Sequence, residues 1–112
     1  MTEDELLEGV AQALALRSRW DESVVWWHIR RSDLALTMGT PGIPGVMVVL
    51  DGRLEAWELK TERGVVTEEQ LRWRRALSDA GVIHHIVRPA DYDELIERIV
   101  GSRLVRRGLR SL

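Results

Sequence analysis

Cysteine and phenylalanine are both missing from these 112 residues, and tyrosine occurs once. Without cysteine there are no disulfides, thiolate metal sites or cysteine nucleophiles, and a reducing compartment is compatible. Apolar runs are short, and none approaches the roughly 18 residues that mark a membrane span. The opening MTEDELLEGV is acidic, where a secretory signal would carry basic residues and then an apolar stretch. A cytoplasmic location without membrane association is therefore expected. Neither sign of charge dominates, since the net charge is −2. A polycation that binds nucleic acid through bulk charge alone is excluded, although local basic surfaces are not.

What is present is an ordinary globular composition, 45% hydrophobic and 30% charged, at the length of one domain. Residues 3–16 place Leu6, Leu7, Val10 and Leu14 at helical spacing behind a capping Thr2 and an acidic first turn. SVVWWHIR, residues 23–30, is β-branched and aromatic and predicts a strand. A Gly/Pro-rich loop over 31–45 leads into strands at 46–50 and 53–60, joined by Asp51-Gly52, a two-residue hairpin signal. Thr67-Glu68-Glu69-Gln70 matches a capping box with Thr67 at N-cap and Gln70 at N3. The helix it opens runs to about Ala80, with Leu71, Ala76, Leu77 and Ala80 expected inside, and Gly81 ends it. A strand at 82–87 and a helix at 91–100 follow, the latter with Leu95, Ile96 and Ile99 inward. The order αβββαβα predicts an α/β fold: a mixed four-stranded sheet flanked by helices on both faces.

The second hairpin strand ends in Glu58-Leu59-Lys60. Residues two apart on a strand share a face, so Glu58 and Lys60 stand together and Trp57 and Leu59 point the other way. A carboxylate there suits a hard cation such as Mg²⁺, and an ammonium beside it suits an attacking water or a charged phosphate. By itself the triplet fits an exposed Glu–Lys pair of little energetic weight equally well.

Context narrows the choice. The acidic TEDELLEGV, WWHIRRSD before the Gly/Pro loop, GIPGVMVV, WELKTERGVVTEEQLRWRRAL, AGV and VRPADYDEL occur in that order. Over about residues 3–98 the sequence resembles the VRR-NUC family of the PD-(D/E)XK nuclease superfamily, especially its small stand-alone phage and bacterial members. The resemblance implies a restriction-endonuclease-like fold in a single domain, residues 1–102, followed by a basic tail, 103–112. It implies Glu58 as a metal ligand, the backbone carbonyl of Leu59 as another, and Lys60 as the group that positions or activates water. Gln70 would lie near the site, and Glu3 would complete it, with Glu5 and Glu8 as alternatives. The implied cofactor is Mg²⁺ or Mn²⁺, the implied substrate is DNA, branched or flapped, and the implied assembly is a homodimer. Arg30, Arg31, Arg72 and Arg75 are candidates for phosphate contacts.

The sequence departs from the family pattern at Gly45, where the metal-binding aspartate belongs. Asp51 lies about 20 Å along the same strand, Glu55 points to the face opposite Glu58, and Asp33 sits in a loop. Either cleavage has been lost while the scaffold remains, or the site is reorganised. The expected function is therefore metal-dependent, structure-selective DNA endonuclease chemistry, impaired as written. A catalytically dead module holding DNA or a protein partner is the competing class, and a purely structural interaction domain a third. His28 could face the site, whereas His84 and His85 point to opposite faces and cannot chelate one ion together. Of the five tryptophans, most are expected in the core, with an exposed one available to stack on a base.

Overall fold

The computed structural model describes residues 1–29 and 40–101. Arg30, Arg31, Asp33 and the basic tail 103–112 lie outside the described residues. The elements are α1 (Glu3–Arg17), β1 (Val25–His28), β2 (Val46–Leu50), β3 (Arg53–Leu59), α2 (Glu68–Asp79), β4 (Ile83–Val87), a 3-10 turn (Pro89–Asp91) and α3 (Tyr92–Val100). The sheet order is β1-β2-β3-β4, antiparallel across the first two pairs and parallel between β3 and β4. This is the mixed sheet that the pattern of elements predicts.

Local chemistry explains most boundaries. Thr2 caps α1 in a reciprocal box with Glu5, accepting from its backbone N–H while the Glu5 side chain accepts from Thr2 N–H. β1 begins later than expected because Asp21 accepts from both the backbone N–H and the hydroxyl of Ser23, turning the chain there. Asp51 and Gly52 both have positive φ, 54° and 76°, as a tight hairpin turn between right-twisted strands requires. Val82 N–H reaches back to the Leu77 carbonyl at 2.8 Å, which closes α2 and delays the start of β4.

One face of the sheet carries the main core. Val46, Val48 and Leu50 of β2, Trp57 and Leu59 of β3 and Val87 of β4 pack under Leu6, Val10 and Leu14 of α1 and Ile96, Ile99 and Val100 of α3. The two helices meet closely: a side chain at Gly9 would collide with the Tyr92 ring. The other face carries α2, and here two expectations fail. Ala76 and Ala80 are exposed, and no α2 residue is fully buried; its half-covered apolar residues are Leu71, Trp73 and Leu77. The helix lies along the β4 edge and presents a narrow apolar stripe, so side chains at its flanks stay in water. Its N-terminal half is held by polar contacts, including Trp73 Nε1–H to the Thr40 carbonyl at 3.1 Å. A side chain at Gly42, whose φ is +92°, would come within 2.6 Å of the Glu69 backbone, so loop and helix touch main chain to main chain. The tryptophans also depart from expectation. Trp57 is fully buried, Trp26 and Trp73 are half-covered, and Trp20 and Trp27 are exposed. β1 is an edge strand, so its outer face lacks a covering layer among the described residues.

A carboxylate sits inside the main core. Glu55 is completely buried and takes both arms of the Arg98 guanidinium from α3, with Trp57 Nε1–H donating at 3.1 Å and His85 Nε2 3.5 Å away. Burial pushes the Glu55 carboxyl up, and the Arg98 fork together with the indole N–H pulls it below the ordinary carboxylate range. Because the folded-state value lies below the unfolded one, this stabilisation is present above the ordinary range and disappears as pH falls through the folded value. Arg98 also lies near Asp51, which binds Arg17 at 2.9 Å, so one charged chain ties α3, the hairpin turn and α1 together. Arg98→Met is expected to cost about 2–3 kcal/mol at pH 7, below the figure for a fully buried pair because Arg98 is part-exposed. In urea denaturation the difference from the parent should narrow as pH falls and Glu55 takes up a proton.

Candidate functional site

The alternation along β3 that sends Trp57 and Leu59 into the core turns Glu58 to the α2 side, where it is only 7% exposed. A carboxylate this deep needs a donor. Gln70 supplies one: its Nε2 donates to Glu58 Oε1 at 2.9 Å. The same side chain closes the capping box, since Gln70 Oε1 accepts from Thr67 N–H at 2.9 Å while Thr67 Oγ1 accepts from Gln70 N–H at 3.1 Å. The capping role and the proximity to Glu58 inferred for Gln70 therefore coexist in one residue, with the amide oxygen serving the helix and the amide nitrogen serving the strand.

Lys60 lies two residues beyond Glu58, and its backbone N–H still bonds the Val87 carbonyl at 2.9 Å, extending the β3–β4 ladder. Across the sheet, Val46 pairs with Trp57, so the next step of the antiparallel register sets Gly45 beside Glu58. Among the described residues, a Cβ built on Gly45 meets nothing within 4 Å, and its backbone is in a region open to any L-residue.

These groups line one cavity of about 510 Å³. Its walls include Glu58, Leu59, Lys60, Gly45 and Gln70, together with Glu3 from the first turn of α1 and His28 from the end of β1. Glu5 is engaged in the α1 cap, and neither it nor Glu8 lines the cavity. Arg72 and Arg75 lie on the exposed side of α2, away from the lining. Among the polar lining residues, the sequence reading did not place Asp4, Thr67 and Glu69 at the site. The only signal for them was adjacency to Glu3 and Gln70 on helical turns whose orientation the sequence does not state.

Among the described residues the lining carries the carboxylates Glu3, Asp4, Glu58 and Glu69 and the Lys60 ammonium. The N-terminal turns of α1 and α2 both reach this cavity and offset part of that charge through their helix dipoles. Among the described residues no three His, Asp or Glu side chains converge closely enough to hold a metal ion. Glu58 is the deep carboxylate, Glu3 and Asp4 stand exposed at the lip, and position 45 supplies no ligand.

A solved structure described as a VRR_NUC domain protein superposes on this chain with a TM-score of 0.59 at 13% sequence identity, over 98% of this chain and 89% of that one. The chain has the VRR-NUC fold. No family model and no curated protein matches the sequence. In the VRR-NUC fold seen here, the cavity opens where β3 ends and both α1 and α2 begin. No helix among the described residues is long and apolar enough to cross a membrane.

Gly45→Asp should fold, because among the described residues the added Cβ meets nothing within 4 Å. It adds a carboxylate to the cavity that Glu58 lines, so millimolar Mg²⁺ is expected to raise the thermal midpoint of this variant more than that of the parent.

Proposed function

We propose that this chain acts on DNA as a VRR-NUC-type nuclease whose phosphodiester hydrolysis is impaired as written by glycine at position 45. The observation that carries the reading is that Gly45, which offers no ligand, lines the same cavity as Glu58, Lys60 and Gln70. Branched or flapped DNA is the substrate class, and a homodimer supplies the paired sites that such substrates need.

The residues divide the work by chemistry. Lys60 offers a mobile point charge to a phosphate oxygen and can orient water beside it. Gln70 holds the Glu58 carboxylate in one orientation, so that its charge acts at a fixed place in the cavity. The donor set does not fit a firmly resident Mg²⁺ or Mn²⁺. One deep carboxylate, the Leu59 carbonyl and Glu3 at the lip leave a hard cation short of charged oxygen ligands. Hydrolysis therefore runs weakly or not at all until position 45 contributes an acid.

The acids of the described lining favour a second reading. Glu3, Asp4 and Glu69 at the cavity attract cationic groups, which suits a catalytically silent module that holds a basic segment of a protein partner.

A nuclease assay on flapped and four-way DNA with Mg²⁺ or Mn²⁺ separates the two. The parent chain is expected near background and Gly45→Asp well above it. Adding Glu58→Ala or Lys60→Ala to Gly45→Asp should lower cutting by about 10²-fold or more, the range of a lost general acid–base or positioning group. If Gly45→Asp cuts no DNA in either ion, the nuclease reading fails and the binding-module reading gains.

A further inference from the structure

Lys60 is the only lysine among the 16 basic residues of this chain. A lysine ammonium stands on a four-carbon stem with many rotamers, so a defined place for its charge requires a held stem. This one is held at its backbone and along its stem, and both supports come from the exit of β4. The Lys60 backbone N–H donates to the Val87 carbonyl at 2.9 Å. The next residue, Arg88, reaches across to the chain that follows Lys60. Its Nη1 donates to the carbonyls of Thr61 at 2.7 Å and Gly64 at 2.9 Å, with Glu62 as a longer third acceptor at 3.2 Å. Arg88 is itself anchored, because its backbone N–H donates to the Asp91 carboxylate at 2.9 Å and its carbonyl accepts from Asp91 N–H at 2.8 Å.

The turn gathered in this way lies against the lysine. A Cβ built on Gly64 would stand 3.3 Å from Lys60 Cδ and 3.1 Å from Thr61 Oγ1, tighter than side chains ordinarily pack. Gly64 is not among the residues with positive φ, so its conformation does not call for glycine; the space taken by the Lys60 stem does. Lys60 lines the cavity, whereas Arg88 and Gly64 do not, so these two act on the site only through the lysine. An arginine that merely closes a loop contributes stability and nothing more. Here one of its acceptors backs the Lys60 stem, which adds a second consequence: where the ammonium stands.

We propose that Arg88 is a positioning residue for Lys60. By gathering the Thr61, Glu62 and Gly64 carbonyls, it sets the Gly64 backbone against the lysine stem and keeps the ammonium at the cavity. The use made of that ammonium rests on the nuclease reading above, but the hold on the stem is measurable without DNA.

Because Lys60 is the sole lysine, the full chain grown on isotopically labelled lysine reports this residue alone by NMR. In Arg88→Gln the order parameter of Lys60 Cδ is expected to fall by about half, into the flexible range. The Lys60 amide resonance, which reports the bond to Val87, should stay in place. Gly64→Ala should instead shift the Lys60 Cδ resonance, again with the amide fixed, and this variant decides the matter if Arg88→Gln does not fold. In a Gly45→Asp background, Arg88→Gln should lower kcat on flap DNA about tenfold with KM changed less than about twofold, as for a misplaced reacting group. A Lys60 stem as ordered as in the parent, or a stem and amide that move together, overturns the positioning role. So does an unchanged kcat in a background that cuts. If Gly45→Asp cuts no DNA, the nuclease reading fails and the Lys60 spectrum alone decides the positioning role.

Discussion

Strand β3 is buried on both faces, and its two-residue alternation governs where the charged groups of this domain can lie. Glu55, Trp57 and Leu59 face the layer of α1 and α3, while Ala56 and Glu58 face α2. Two carboxylates three residues apart are thereby driven into opposite, poorly solvated spaces, and each needs its own partner. Arg98 answers Glu55 and Gln70 answers Glu58. The difference between these answers separates scaffold from site. A guanidinium neutralises its carboxylate and ties it into a charged chain across the core. A neutral amide gives Glu58 a directional hydrogen bond at the wall of a cavity.

The placement of α2 follows from the same division. Its apolar stripe buries too little surface to seat it firmly on the sheet, and its N-terminal half is located by Gln70 on Glu58, Trp73 on the Thr40 carbonyl and the main-chain contact at Gly42. All three are specific in direction, unlike apolar contact. The helix start that forms one wall of the cavity is therefore fixed by directional polar and main-chain contacts. The loop before it shares this character, since Arg88 donates to its Thr61 and Gly64 carbonyls.

Much of the secondary structure was legible because each element carries its own stop and start. The Thr2 and Thr67 boxes, Asp51-Gly52 and Gly81 are short-range signals whose physics is complete within a few residues. The Glu58–Lys60 pair was legible for a related reason, since strand alternation fixes a direction, whereas the nearness of Gln70 to Glu58 came from the family resemblance. The reading failed where burial depends on a neighbouring layer. Ala76 and Ala80 look like core positions on a helical wheel, but that wheel cannot show that α2 runs along the sheet edge. Most tryptophans look like core by composition, yet Trp27 lies on the edge strand β1 and is exposed.

By itself, then, the sequence determined the order of elements, the hairpin register, the helix caps and the sharing of one face by Glu58 and Lys60, because these follow from local geometry with a period of two or 3.6 residues. Only the tertiary structure decided that Glu55 finds Arg98 and that Glu3, Asp4 and Glu69 join the same cavity as Glu58. Those facts depend on how separate elements, 43 residues apart in the case of Glu55 and Arg98, come to rest on one another, and no local periodicity encodes such contacts.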